Sequence, residues 1–227
     1  MCEIDKYLPR EEKLSVDLNC QYRMHPEIWA LSNQLFYGKK VHSDFTELTE
    51  MNEFICKNKP LLFVNVDGKE ERVGNSFQNP NESAAIIGLL RWMNENQKFH
   101  LGRFAIIGTY RAQVNLIKDQ LPEDLKNNGF DPKNIMTVDQ VQGSEREFVF
   151  LSLTRTNLRQ RNFLQDFRRV NVALTRARFG LIIFGKQSEV VKNEYFKQVL
   201  GLLSEATVSS YGEAKNFIIR RQEEKAS

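Results

Sequence analysis

Cysteine is scarce in this chain of 227 residues, and its irregular spacing argues against two ways of building a fold. The three that occur are Cys2, Cys20 and Cys56, an odd number without paired C-x-x-C spacing. A disulfide framework needs pairs and a structural zinc site needs clustered thiols, so we expect neither. Free thiols indicate a reducing compartment, and we therefore expect a cytoplasmic or nuclear protein.

Long apolar runs are also absent. No segment approaches the roughly 20 consecutive apolar residues that a membrane-spanning helix requires, and the first residues are too charged for a secretory signal. We therefore expect no contact with a membrane. A large charge of one sign is missing too, because the net charge is only +3. Nucleic-acid binding has to be judged from local clusters, such as the arginines between Arg155 and Arg178.

Short apolar runs that favour β-strands alternate with segments of helical periodicity. The predicted strands are Ser15–Leu18, Leu61–Val66, Phe104–Gly108, Ile135–Val138, Phe148–Leu153 and Leu181–Phe184. The predicted helices are Glu27–Phe36, Asn81–Glu95, Ala112–Leu121, Phe167–Arg176 and Glu189–Leu203. Continuous apolar strands are typical of parallel sheets covered on both faces, so the alternation predicts an α/β doubly wound fold. At the start of the second helix, Asn79 should act as N-cap, Pro80 should take the first position, and Glu82 should close a capping box.

Four stretches carry residues suited to binding a phosphate or a base. They are Gln21–Pro26 (QYRMHP), Ile107–Gln113 (IGTYRAQ), Val138–Glu145 (VDQVQGSE) and Arg168–Arg178 (RRVNVALTRAR). Tyrosine can stack on a base, arginine can bind a phosphate through its planar fork, and glycine lets the backbone approach a ligand. Each stretch alone also fits an ordinary structural role, as a strand end, a capped turn or a basic surface helix.

Taken together and in this order, the stretches resemble the C-terminal RecA-like domain of superfamily 1B helicases of the up-frameshift and senataxin type. QYRMHP is similar to motif IV of that group, VDQVQGSE to motif V, and RRVNVALTRAR to motif VI. The spacing Ser76-x-x-Asn79-x-x-Glu82 is also typical of the group. The resemblance covers the chain from Leu14 to Gly185. It implies a RecA-like fold of three layers, with a mainly parallel sheet and helices on both faces.

The resemblance also implies a function, as the second motor domain of an ATP-dependent RNA or DNA helicase. Arg23 and Arg176 would be catalytic and would contact the γ-phosphate as paired arginine fingers. Tyr22 would stack near the adenine, and Glu145 would meet the ribose. The implied nucleotide-binding residues are Gln21, Tyr22, Arg23, Gln142, Gly143, Glu145 and Arg176. Because ligands of doubly wound sheets bind beyond the carboxyl ends of strands, we expect Tyr22, Arg23, Glu145 and Arg176 to line one exposed rim there.

The same resemblance assigns residues to a track for single-stranded RNA or DNA. These are Thr109, Tyr110, Gln113 and Thr137. ATP and Mg²⁺ would be the cofactors, held mainly by another domain, and we expect no metal site in this chain. His25 has no implied catalytic role, and we expect it to fix the turn between strand and helix together with Pro26.

Two departures from the family pattern bear on these roles. The family reads T-P-Y where this chain has Gly108-Thr109-Tyr110, which leaves one nucleic-acid contact open. The chain also lacks a G-x-x-x-x-G-K-[ST] phosphate loop and an acidic D-E-x-x-Q stretch, which belong to the first RecA-like domain. We therefore expect residues 1–13 to lead in from that missing partner domain, 14–205 to form the helicase domain, and 206–227 to form a helical tail. We expect a monomer.

A catalytically silent RNA-binding or protein-interaction module derived from a helicase is the alternative. Such a module would have little use for Arg23 and Arg176 together, whereas a motor needs both. A Rossmann-type cofactor enzyme is disfavoured, because no G-x-G-x-x-G follows the first predicted strand.

Overall fold

The computed structural model describes residues 19–45, 60–96, 100–141, 143, 145–157, 163–203, 207–208 and 210–216. The strands are β1 (Cys20–Gln21), β2 (His42–Ser43), β3 (Leu61–Asn65), β4 (Glu71–Val73), β5 (Ser76–Gln78), β6 (Phe104–Gly108), β7 (Ile135–Thr137), β8 (Arg146–Ser152), β9 (Ala177–Gly185) and β10 (Thr207–Val208). The helices are α1 (Pro26–Phe36), α2 (Pro80–Glu95), α3 (Arg111–Gln120), α4 (Glu123–Asn127), α5 (Phe167–Leu174), α6 (Gln187–Val190) and α7 (Glu194–Leu202). Residues 211–216 are also helical. The predicted strand Ser15–Leu18 lies outside the described residues.

A parallel sheet of six strands forms the middle layer, in the order β10-β3-β9-β8-β6-β7. Each neighbouring pair within it is parallel. Apolar side chains of α2, α3 and α4 pack on one face of this sheet. Those of α1, α5, α6 and α7 pack on the other face. The predicted three-layer doubly wound α/β fold of RecA-like type is therefore confirmed.

Two small sheets accompany the central one. Strands β1 and β2 pair in parallel near the start of α1, and β4 and β5 form an antiparallel hairpin. The hairpin turns at Gly74, whose φ of +59° is the left-handed conformation that favours glycine. The polar side chains of this segment are typical of an exposed loop, but its backbone is paired as a hairpin.

The predicted boundaries differ most from the structure at two elements, and most others are within two residues. Strand β9 begins four residues earlier than the apolar run LIIF, because Ala177 and Phe179 are buried while Arg178 between them is only half-buried. This alternation is a strand pattern, and it ends α5 at Leu174. The long helix predicted after it is divided into α6 and α7, because Asn193 caps α7 through a hydrogen bond from the Phe196 N–H (3.1 Å).

The start of α2 is confirmed, but the partner of Glu82 is different from the predicted one. The Asn79 side chain accepts hydrogen bonds from the N–H groups of Asn81 and Glu82 (3.1 and 3.2 Å), as an N-cap should. Glu82 does not close a capping box. Its buried carboxylate instead accepts hydrogen bonds from the Ser152 hydroxyl (2.6 Å) and the Thr154 N–H (2.9 Å). This carboxylate therefore fastens α2 to the end of β8.

Burial raises the pKa of Glu82 to about 7, although the hydrogen bonds from Ser152 and Thr154 act to lower it. The folded chain therefore binds more protons than the unfolded chain between pH 4.5, the ordinary pKa, and about pH 7. Because the folded chain binds the extra proton, the free energy of unfolding falls as the pH rises from 4.5 to about 7. Above about pH 7 this contribution to stability is lost completely. The shift corresponds to about 3 kcal/mol.

We predict that Glu82→Gln removes this pH dependence, because an amide does not titrate. Urea unfolding of the variant and of the original chain, measured from pH 4.5 to 8, should give a stability difference that changes by about 3 kcal/mol. Glu95→Gln, at the exposed end of α2, is the matched control and should leave the slope unchanged. Parallel pH profiles for the Glu82→Gln variant and the original chain would contradict the assignment.

Candidate functional sites at two edges of the sheet

The motif residues lie at two opposite edges of the central sheet. Because the strands are parallel, residues that precede strands meet at one edge and residues that follow strands meet at the other. Glu145 and Arg176 immediately precede β8 and β9, so they lie at the amino edge. Thr109 and Thr137 follow or end β6 and β7, so they lie at the carboxyl edge.

The expectation that Tyr22, Arg23, Glu145 and Arg176 line the carboxyl edge is therefore wrong. The stretches that resemble motifs V and VI end where their strands begin, which places their last residues at the amino edge. The first stretch joins them there, because the His25 N–H donates to the Arg178 carbonyl in β9 (2.8 Å). The four residues do lie at one edge of the sheet, but it is the amino edge and not the predicted carboxyl edge.

Arg23, Glu145, Arg176 and Arg178 form what we call the amino-edge cluster. Glu145 contacts two of its arginines, with Arg23 Nε 2.7 Å from Oε2 and Arg178 Nε 3.7 Å from Oε1. The Arg23 and Glu145 side chains are 47% and 42% exposed, so solvent screens this pair and it contributes little to stability. The contact therefore positions the Arg23 guanidinium rather than holding the fold together.

Arg176 differs from Arg23 because it is buried, with 9% of its surface exposed. Its Nε donates to the Val172 carbonyl (3.0 Å) and its Nη2 to the Thr175 hydroxyl (3.1 Å). The guanidinium thus caps the carboxyl end of α5, where carbonyl groups attract a cation. The prediction of an exposed rim is wrong for this residue, since the helix end holds its side chain against the protein.

The charges of the two arginines act on each other. Burial lowers the pKa of Arg176, the Arg23 charge lowers it further, and the Glu145 charge opposes both effects. Glu145 contacts Arg23, and the next residue, Arg146, donates its N–H to the Arg176 carbonyl (2.9 Å). The structure therefore brings Arg23 and Arg176 together, although they are far apart in sequence.

The turn before α1 is held by two side chains of the first stretch. His25 Nδ1 accepts from the Glu27 N–H (3.1 Å) and caps the helix, so its predicted structural role is confirmed. The Gln21 amide donates to the Met24 carbonyl (2.9 Å) and accepts from the N–H of Arg23 (2.9 Å). Gln21 was assigned to nucleotide binding, but its side chain is engaged in shaping this turn.

The remaining predicted nucleotide-binding residues are accessible or lie outside the described residues. Tyr22 is 66% exposed. Its pKa is raised, chiefly through a hydrogen bond with the Cys20 side chain. Gly143 has a φ of +81°, which explains the glycine in the middle of its stretch. Gln142 lies outside the described residues.

An open groove of about 950 Å³ lies at the carboxyl edge, at the start of α3 and α5. Residues that line it include Thr109, Tyr110, Thr137, Phe163, Phe167 and Arg168. Three of the four predicted nucleic-acid residues thus share one surface. Thr109 is only 8% exposed, and its hydroxyl donates to the Leu153 carbonyl (3.0 Å). Tyr110 and Thr137 are half-buried and offer more of their surface.

Gln113, the fourth predicted nucleic-acid residue, does not reach the groove, and this prediction is wrong. Its side chain is fully buried. The amide accepts from the Asn79 N–H (2.6 Å) and donates to the Asn79 carbonyl (3.2 Å). Gln113 therefore satisfies the backbone of the residue that caps α2, and it faces that helix instead of the groove.

Arg155 is absent from the predicted site residues, yet it holds several parts of the carboxyl edge together. Its buried Nε lies 2.9 Å from Glu70 Oε1, and its guanidinium carbon lies 4.0 Å from the centre of the Phe77 ring and 5.9 Å from that of Tyr110. Burial acts to lower the pKa of Arg155, but the Glu70 carboxylate and Tyr110 raise it. Its position two residues after the buried run FVFLSL could have indicated this role, because residues that follow a strand lie at the carboxyl edge.

One segment has the glycine and lysine spacing of a phosphate loop. Gly180–Lys186 reads GLIIFGK, but Gln187 follows where the motif requires serine or threonine. Gly180–Gly185 lies within β9, which pairs with β3 on one side and β8 on the other. A paired, buried strand cannot wrap around a phosphate, so this segment is structural.

In the described part of the chain, no group of three or more His, Cys, Asp or Glu side chains could hold a metal ion. Within the same residues, no helix is both long and apolar enough to cross a membrane.

The architecture and its two polar edges define a RecA-like α/β domain. A protein-family model described as an AAA domain matches residues 4–188, and the chain belongs to this family.

Curated relatives include helicases of the senataxin and nonsense-transcript regulator type. The probable helicase senataxin of Mus musculus is 28% identical over 82% of this chain. The regulators of nonsense transcripts 1 from Dictyostelium discoideum and Drosophila melanogaster are 31% and 30% identical over 88% of it. The chain spans only 7%, 16% and 18% of the length of these three relatives.

We predict that Glu70→Gln destabilises the chain by about 3 kcal/mol, because it leaves the buried Arg155 guanidinium without its counter-charge. Thermal and urea unfolding measure the change. Glu71→Gln is the matched control, since Glu71 is the exposed neighbour on the same hairpin. Equal stabilities for the two variants would show that the Arg155–Glu70 contact does not hold the hairpin to the sheet.

Proposed function

We propose that this chain is the second motor domain of an ATP-dependent helicase that moves along single-stranded RNA or DNA. The observation that carries the proposal is the amino-edge cluster. There Glu145 contacts Arg23 (2.7 Å) and immediately precedes Arg146, whose N–H donates to the Arg176 carbonyl (2.9 Å). Similarity to curated helicases over most of the chain supports the same function.

The amino-edge cluster is suited to the charge that develops during phosphoryl transfer. Arg23 and Arg176 present two permanently charged guanidinium groups, which bind phosphate oxygens through directed hydrogen bonds. A triphosphate bound against Arg23 would compete with Glu145 for that guanidinium, which would release Glu145 toward the ribose. The acidic ligands that Mg²⁺ prefers are not clustered among the described residues, so a first motor domain would hold the metal and the phosphate loop.

The carboxyl-edge groove is suited to the backbone of a single strand. Tyr110 and Thr137 line it, and the amino-terminal ends of α3 and α5, which carry positive partial charge, lie beside it. Arg168 adds a full positive charge at the start of α5. Backbone binding of this kind does not depend on sequence, as a translocating motor requires.

Two segments join the edges and would couple them. Helix α5 begins beside the groove and ends next to Arg176, and its eight residues span about 12 Å. Residues 138–141 follow β7 at the carboxyl edge, with Val138 and Val141 buried against the core, and Glu145 precedes β8 at the amino edge. Closure onto a first motor domain at the amino edge would therefore shift residues at the carboxyl edge.

We predict that the chain alone does not hydrolyse ATP above background, because its sequence has no phosphate loop and its described residues form no cluster of metal ligands. Release of inorganic phosphate in the presence of Mg²⁺ and single-stranded RNA measures this. Robust magnesium-dependent hydrolysis by the chain alone would overturn the division of labour between two domains.

We predict that Arg23→Ala and Arg176→Ala each reduce ATP turnover at least about a hundredfold in a protein that joins this chain to a first motor domain. Binding of single-stranded nucleic acid should be largely spared, because the groove lies at the other edge. Arg91→Ala, on α2, is the control and should have no effect. Since Arg176 also caps α5, the exposed Arg23 gives the cleaner test. Unchanged turnover in both variants would favour a catalytically silent binding module.

A further inference from the structure

Phe167 is an exposed aromatic residue that the core does not require. It occupies the first position of α5 and is 46% exposed. The buried face of this helix consists of Val170, Ala173 and Leu174. A small or polar residue would start the helix equally well, since Asp166 already caps it through the N–H groups of the first turn. Burial in the core therefore does not explain a large aromatic side chain here.

The ring of Phe167 is nevertheless held in place. Phe36 of α1 stacks against it, with 6.4 Å between ring centres and 30° between the ring planes. Phe36 is itself supported by Tyr195, whose ring centre is 5.8 Å away. Phe167 also lines the carboxyl-edge groove. A ring backed by another aromatic and bordering an open groove is arranged to receive a flat partner.

Positive charge accompanies this aromatic surface. The Arg168 guanidinium carbon lies 5.7 Å from the centre of the Phe167 ring. Neither Arg168 nor Arg111, which also lines the groove, forms an ion pair with another described residue. Arg169, in contrast, is paired with Asp139. The groove thus offers Arg168 beside its exposed aromatic residue and Arg111 elsewhere on its wall. Its carboxylates, Asp139 and Asp166, are engaged by Arg169 and by backbone N–H groups. This combination suits a chain of phosphates carrying flat bases.

We propose that Phe167 stacks on a base of the single strand in the groove, with Tyr110 offering a second aromatic surface there. The inference rests on the proposed function and adds to it a contact with bases. Tyr110 is fixed by Phe77, whose ring lies edge-on at 5.5 Å, and by a hydrogen bond from the Phe163 N–H (3.2 Å). Bases in a duplex already stack on each other, so these residues select single strands over duplexes.

The test compares binding to two single strands of about 15 nucleotides, one of oligothymidylate and one abasic strand with the same sugar-phosphate backbone. Phe167→Leu keeps an apolar side chain but removes the ring. It should raise the Kd for oligothymidylate about tenfold and leave the Kd for the abasic strand unchanged. Phe167→Trp should bind oligothymidylate as well as the original chain does, and stacking should quench the fluorescence of the new tryptophan.

Three further variants separate this inference from the proposed function. Leu202→Ala, which removes an equally exposed apolar side chain on α7, should change neither Kd. Arg111→Ala and Arg168→Ala should weaken binding of both strands, because they remove phosphate contacts. Suppose that the arginine variants weaken binding, but Phe167→Leu either leaves binding unchanged or weakens binding of both strands equally. The stacking role is then refuted, while the groove remains the nucleic-acid site. If the chain binds neither strand, or no variant matters, the groove is not a nucleic-acid site and both ideas fail.

Discussion

All strands of the central sheet run in one direction, and this constraint decides where every motif residue lies. A residue before a strand is at the amino edge and a residue after a strand is at the carboxyl edge, whatever its chemistry. Arg23, Glu145 and Arg176 meet at the first edge, and Tyr110 and Thr137 border the groove at the second. Two kinds of polar site can therefore coexist on one domain without competing for space.

The carboxyl edge depends on buried polar contacts that bind distant segments together. Glu82 joins α2 to the end of β8, and Gln113 joins α3 to Asn79. Arg155 then ties the hairpin to the same edge through Glu70. Each of these groups is expensive to bury unless its partner is present, so the contacts specify one arrangement of the loops that border the groove. Arg155 also lies 5.9 Å from the centre of the Tyr110 ring, so the network supports a residue that lines the groove.

Much of the fold could be predicted because its signals are local. Runs such as FAIIG and FVFLSL identify buried strands by composition, and Asn79 followed by Pro80 identifies the start of a helix. The boundary of β9 was harder, since Arg178 interrupts its apolar pattern. Glu82 was assigned to a local capping box because it stands three residues after the cap. Its actual partners lie about 70 residues away, where no local rule reaches.

The sequence by itself determined the alternation of strands and helices, the three-layer fold, and the set of arginines and tyrosines capable of binding phosphates and bases. These follow from the spacing of apolar residues and from motifs read within a few residues of each other. Only the tertiary structure decided that Arg176 is buried at a helix end, that Gln113 faces α2, and that Arg155 meets Glu70 across 85 residues of chain. The reason is physical, because such contacts arise when distant segments pack on one sheet, and local periodicity carries no information about which segments meet.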